Sequence, residues 1–113
     1  MLTIDALKEY GANVEEGLTR CMNNEAFYFR LIKMAAEDAG FGRLKDAVDS
    51  GDLEAGFEAA HGLKGVLGNL ALTPVYTPVS EMTELFRAKK EADYASYLAQ
   101  VQEQLDRLKA LID

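Results

Sequence analysis

The sequence predicts an all-α protein whose helices pack as a bundle, and three observations predict it. Apolar residues recur at steps of three and four along most of the 113 residues, and strand-like alternation is nowhere sustained. Helix stop and start signals punctuate the chain at Gly11, at "SGD" (50–52) and at the pairs Thr73-Pro74 and Thr77-Pro78. The C-terminal stretch spaces Tyr94, Leu98, Val101, Leu105, Leu108 and Ile112 alternately by four and three, as the seam of a bundle helix does. A self-associating coiled coil is the competing reading of that seam, but three heptads are about the minimum for one.

The first helix is expected over about 3–10, with Ile4 and Leu7 inward and Gly11 ending it. The stretch "ANVEEGLTRCMNN" reads as a connection to a second helix near 24–38, where Phe27, Leu31, Met34 and Ala35 recur at helical spacing. Gly40 and Gly42 bracket the next break. A third helix, about 42–50, turns Leu44, Ala47 and Val48 inward and ends at Gly51, and Asp52 caps the fourth, about 53–71. The fifth starts at one of the Thr-Pro pairs, since proline is tolerated at the first helical position; a start at Pro74 leaves Pro78 where a kink is expected. The last covers about 92–112.

This length suits one domain, 1–113, and is too short for a nucleotide-binding domain plus a second module. No apolar run approaches the roughly 18 residues needed to cross a bilayer, and the N-terminal "MLTIDALKEYG" carries no basic-then-apolar leader. The expectation is a cytoplasmic protein. Cys21, the one cysteine, cannot form an internal disulfide and reads as a packing residue. Twelve basic against nineteen acidic residues give a net charge of −7 without any basic stripe, which argues against nucleic acid and anionic membrane as partners.

The chemistry concentrates in "AHGLKGVLGNL", 60–70, which holds the only histidine and three glycines. Each glycine inside a helix costs about 0.5–1 kcal/mol relative to alanine, so three need a reason. At 100° per residue, Ala60, Leu63, Val66, Leu67 and Leu70 share the arc expected to be buried, and His61 lies outside it. Beside His61 fall Phe57, Lys64, Gly65 and Gly68. Helical side chains lean toward the N-terminus, so a side chain at 65 would cover the imidazole. Gly65 and Gly68 are therefore expected to shave the helix so that another protein can approach an exposed imidazole, with Phe57 and Gly68 at the docking surface; Gly62 gains no such reason. A neutral imidazole is a nucleophile, and Lys64 can stabilise an anionic group placed on it. No Ser-His-Asp set, HExxH spacing or phosphate-binding GxxxxGK[ST] loop accompanies it, which disfavours a hydrolase, a metal enzyme or a kinase.

"HGLKGVLGNL" resembles the H-x-L-K-G-x-x-x-N-[LI] signature of histidine-containing phosphotransfer (HPt) domains of two-component phosphorelays. "GLTRCMNNEAFYFRLIKM" (17–34) is similar to the family's G-L-x-R followed by an aromatic-rich helix, and "SGD" precedes the histidine helix as it commonly does there. The resemblance implies an antiparallel four-helix bundle with a short extra N-terminal helix. It implies a cytoplasmic phosphocarrier, without autonomous kinase activity, that accepts a phosphoryl group from a receiver-domain phospho-aspartate and passes it to another receiver. Carried over, His61 is the phosphoacceptor, Lys64 the phosphate stabiliser, Gly65 the clearance residue and Arg87 a second basic residue near the phosphate, while Asn69 serves helix or loop geometry. Partners are receiver domains of response regulators or hybrid kinases; Mg2+ comes from the receiver, this chain binds no cofactor or metal of its own, and it acts as a monomer. The sequence departs from the pattern at Ala71, where glycine is usual, and at Thr83, where a carboxylate or amide often orients the imidazole. Glu58, three residues before His61, is the substitute candidate for holding the ring tautomer. The alternative function is a helical adaptor that docks receivers without transfer.

Overall fold

The computed structural model describes residues 1–112. Its helices are α1 (Ile4–Tyr10), α2 (Val14–Arg20), α3 (Glu25–Ala36), α4 (Gly40–Ser50), α5 (Leu53–Asn69), α6 (Thr73–Arg87) and α7 (Tyr94–Ile112), and no strand forms among the described residues. Helix α5 packs against α4 and α6, α6 against α7, and α7 closes back on α4, which is an antiparallel four-helix bundle. Helix α2 packs between α1 and α3, and α1 and α3 pack on α7. Among the described residues, no helix is long and apolar enough to cross a membrane.

The punctuation read from the sequence acts as expected at both glycine ends. Gly11 and Gly51 adopt positive φ, 111° and 70°, and each donates its backbone N–H to the helix it closes. Asp52 caps α5 by accepting from the Ala55 N–H, and Thr3 caps α1 through Ala6. Helix α6 starts at Thr73 with Pro74 in its first turn and runs through Pro78, which is buried.

Four expectations need correction. The stretch at 11–23 is not only a connection: Asn13 accepts from the Glu16 N–H and its side-chain amide donates to the Glu16 carboxylate, a side-chain cap that starts the seven-residue α2. The bundle therefore carries two short N-terminal helices before α3. Gly42 lies inside α4 rather than bracketing a break; the break at 37–39 is closed by Asp38, whose carboxylate accepts the Gly40 N–H at 2.7 Å. On α3 the buried face is Tyr28, Ile32, Ala35 and Ala36, while Met34 is 62% exposed. Tyr28 turns this face inward because its hydroxyl finds a buried acceptor, the Leu70 carbonyl, at 2.8 Å. On α5, Ala60, Leu63, Leu67 and Leu70 are buried but Val66 is exposed, standing at the edge of an apolar groove shared with Leu31 and Met34 of α3.

The core meets in the middle of the bundle through Leu44, Leu63, Leu67, Val79, Met82, Leu105 and Leu108, each nearly or fully buried and each worth about 1.5–3 kcal/mol relative to exposure. Cys21 is buried there too, and burial pushes its thiol pKa up, as befits a packing residue rather than a nucleophile. The seam residues Val101, Leu105 and Leu108 of α7 are consumed inside the bundle.

Candidate functional site

Helix α5 presents His61 to solvent on the side away from Leu63 and Leu67. Its imidazole makes no hydrogen bond to the described residues and is oriented by stacking on Phe57, one turn earlier, with ring centroids 5.3 Å apart and planes 12° apart. Over the Phe57 ring lies the Arg87 guanidinium, its Cζ 4.9 Å from the ring centroid. Arg87 Nε is 3.3 Å from Glu84 Oε1, and the other oxygen of the same carboxylate accepts from Lys64 Nζ at 3.4 Å. Lys64 is one turn after His61 on α5. The side chains thus form an arc of contacts across the α5–α6 face, imidazole to Phe57 to Arg87 to Glu84 to Lys64, whose two ends lie one turn apart on α5.

This arc places the sequence candidates together. His61, Phe57, Lys64 and Arg87 share one face, and the two cations share one carboxylate. Burial pushes the Glu84 carboxyl up, but the hydrogen bond from Lys64 and the charge of Arg87 outweigh it and hold the carboxyl below its ordinary range.

Beside the arc runs an open groove of about 590 Å³, floored by Lys64, Gly65 and Gly68 of α5 and walled by α2 and α6. A Cβ on Gly65 would meet nothing within 4 Å, and Gly65 and Asn69 line both this groove and the apolar one beside Val66. Gly65 therefore stands on open surface between two depressions. Gly68 is different: a Cβ there would come 2.9 Å from the Tyr76 ring, so its missing side chain is filled by α6. Gly68 lines the groove, but the space a Cβ would take there is held by the Tyr76 ring. A Cβ on Gly62 also meets nothing, and nothing in the structure explains that glycine.

Two further candidates fall away from the imidazole. Thr83 is fully buried and its hydroxyl donates back to the Val79 carbonyl at 2.8 Å, one turn earlier on α6, so it does not orient the ring. Glu58 is exposed and lines a depression against α4 with Arg43 and Asp46. Its spacing would let it reach the imidazole, but it makes no hydrogen bond to His61 among the described residues. Ala71 takes the left-handed conformation that glycine would adopt more cheaply, φ 56°, and its carbonyl accepts the Asn13 N–H at 3.0 Å.

Two residues of the site were not singled out from the sequence. Glu84 shows itself only once the α5–α6 hairpin brings position 84 opposite 64, although its place three residues before Arg87 was a visible ion-pair spacing. Arg20, within the quoted G-L-x-R motif, reaches from α2 to the Gly68 carbonyl at 3.3 Å while its other nitrogen holds Glu16 at 2.7 Å, and it walls the groove.

Residues 31–111, well over half of the chain, match the family model for the Hpt domain. The chain belongs to the Hpt domain family. Members of this family carry out histidine phosphotransfer in the phosphorelays of two-component systems, act as phosphocarriers rather than kinases, and interact with receiver domains of response regulators or hybrid kinases. No match was found among curated proteins or among solved structures. The matched region begins inside α3, so α1, α2 and Arg20 lie outside it.

Proposed function

We propose that His61 is the phosphoacceptor of this Hpt domain, taking a phosphoryl group from a receiver-domain phospho-aspartate and passing it to the aspartate of a second receiver. The observation that carries the reading is an exposed imidazole, the chain's one histidine, held by a stacking contact that leaves both ring nitrogens free of intramolecular hydrogen bonds. A ring nitrogen attacks phosphorus in line, the bond from phosphorus to the aspartyl oxygen breaks, and the carboxylate leaves with the electron pair; the proton on the opposite ring nitrogen passes to solvent. Lys64 stabilises the transferred group, Arg87 supplies a second positive charge, and Gly65 leaves the clearance through which a receiver loop reaches the ring. Mg2+ is assigned to the receiver, and this chain acts as a monomeric carrier that neither binds nor hydrolyses ATP.

The test incubates the protein with a panel of phosphorylated receiver domains and looks for a label that is acid-labile and base-stable, the signature of a phosphoramidate. Label on the wild type and none on His61→Gln is expected; an acid-labile label that persists on the variant would overturn the site.

A further inference from the structure

We propose that Glu84 is an internal counter-ion that occupies Lys64 and Arg87 while His61 is bare and yields both cations to the phosphoryl group when it arrives. This rests on His61 being the phosphoacceptor. Glu84 contributes one oxygen to each cation, at 3.4 and 3.3 Å, whereas the pairs that involve neither cation, Arg20–Glu16 and Lys45–Asp49, close to 2.7 Å. Charge-assisted hydrogen bonds normally close to about 2.7–2.9 Å, so both contacts of Glu84 are loose. Its side chain is 56% exposed and can turn into water without desolvation cost.

A phosphoryl group at His61 competes well for the same cations. It brings close to two negative charges and three acceptor oxygens against one charge and two oxygens on Glu84. Lys64 is one turn from His61, and Arg87 already lies over the ring that stacks on the imidazole. The other charges facing the groove, Glu16 and Arg20 of α2, are committed to each other. With Glu84 ionised, the two cations carry a net charge of one, which leaves a phosphoryl dianion undercompensated. Glu84 thereby weakens the hold on phosphate and favours onward transfer over storage.

The experiment loads the protein with phosphoramidate as a small-molecule donor. Its P–N bond breaks, a bond from phosphorus to a ring nitrogen of His61 forms, and ammonia leaves with the proton shed by the ring. The titration midpoint of the phosphohistidine is then followed by 31P NMR in wild type, Glu84→Gln and Glu81→Gln, with circular dichroism confirming the fold. Glu81 is exposed, one turn away on α6, and ties up neither cation. Glu84→Gln is expected to lower the midpoint by about half a pH unit, a roughly threefold gain for the dianion, which is the scale of one charge a few ångströms away in a water-like dielectric. Glu81→Gln is expected to move it by much less. An unchanged or raised midpoint in Glu84→Gln, or an equal shift in Glu81→Gln, overturns the counter-ion role. A wild-type protein that takes up no phosphoryl group, or a His61→Gln variant that does, removes the phosphoacceptor reading and this inference with it.

Discussion

The face of α5 that carries His61 and the C-terminal end of the same helix are held in opposite ways. At the face, exposed side chains meet through stacking and long ion pairs, and Gly65 borders empty space. At the end, contacts are buried or aimed at backbone: Tyr28 donates to the Leu70 carbonyl, the Asn13 N–H to Ala71, Arg20 to Gly68, and Tyr76 fills the space over Gly68. A helix end leaves its last carbonyls without partners, so covering them fixes where the helix stops and how it sits. On the proposed function the histidine face gains by staying loose, because its side chains would exchange their present neighbours for a phosphoryl group or a partner loop. One helix thus combines a rigid mount with a labile working surface.

The strongest break in this comparison is removal of the proposed phosphoacceptor. His61→Gln is expected to abolish phosphoryl acceptance while leaving helical circular dichroism and Tm near wild type, since the ring is exposed and carries no buried contact. Loss of the fold in this variant would show that the histidine face is structural after all. Next in size is Lys64→Ala. A charge-assisted contact to phosphate is worth about 1.5–3 kcal/mol, so transfer is expected to slow roughly ten- to hundredfold without being lost, and stopped-flow transfer to a receiver reads it. Wild-type rates would leave Lys64 as a solvated neighbour of Glu84.

The two glycines sharpen the contrast within a single turn. Gly65→Ala meets nothing and gains helix propensity, so it is expected to stabilise the protein by up to about 1 kcal/mol. Gly68→Ala drives a methyl group into the Tyr76 ring, and overpacking of about 1–3 kcal/mol offsets the same propensity gain. Thermal unfolding should therefore rank Gly65→Ala above Gly68→Ala. Gly65→Leu completes the comparison: it should fold at least as well as wild type yet transfer at least tenfold more slowly, a loss of about 1.4 kcal/mol, because the leucine leans over His61. Equal stability of the two alanine variants would erase the distinction.

The sequence made the working surface more legible than the mount, for physical reasons. His61, Lys64 and Gly65 lie within one turn of one helix, so periodicity alone places them together. Gly11, Gly51 and Asp52 announce helix ends through local backbone chemistry that needs no tertiary partner. The mount depends on groups far apart in the chain: Tyr28 is 42 residues from Leu70, and nothing local says that its ring, rather than Phe27, turns inward. Gly68 and Gly65 look alike in sequence because the difference between them is Tyr76, supplied by the next helix. Val66 fits the apolar arc of α5, but its neighbours cover it only in part. Helix α2 was hidden by its brevity, although Asn13 and Glu16 carried its start signal.

The two regions should also differ in pH dependence, failing at opposite ends of the scale. Glu84 has its folded pKa held down, so its contribution to stability is fully present above its unfolded pKa and is lost as pH falls through the folded value. Because the carboxylate is exposed, that contribution is small. The Tm difference between wild type and Glu84→Gln, measured near neutrality, should shrink to nothing as the pH is taken down through the acidic range. Tyr28 behaves the other way. Burial, with a further push from Cys21, raises its hydroxyl from 10.0 to about 12, so its contribution is complete below pH about 10 and is lost as pH climbs toward about 12. An ionised Tyr28 also has no proton to donate to Leu70, so Tyr28→Phe, which leaves that buried carbonyl unpaired at about 1–3 kcal/mol, should be destabilised by a constant amount from pH 5 to 9 and should lose part of its gap to wild type only above 10. A Tyr28→Phe gap that closed on the acid side, or a Glu84→Gln gap that persisted there, would show that the histidine face and the C-terminal end of α5 are not held by the different forces assigned to them.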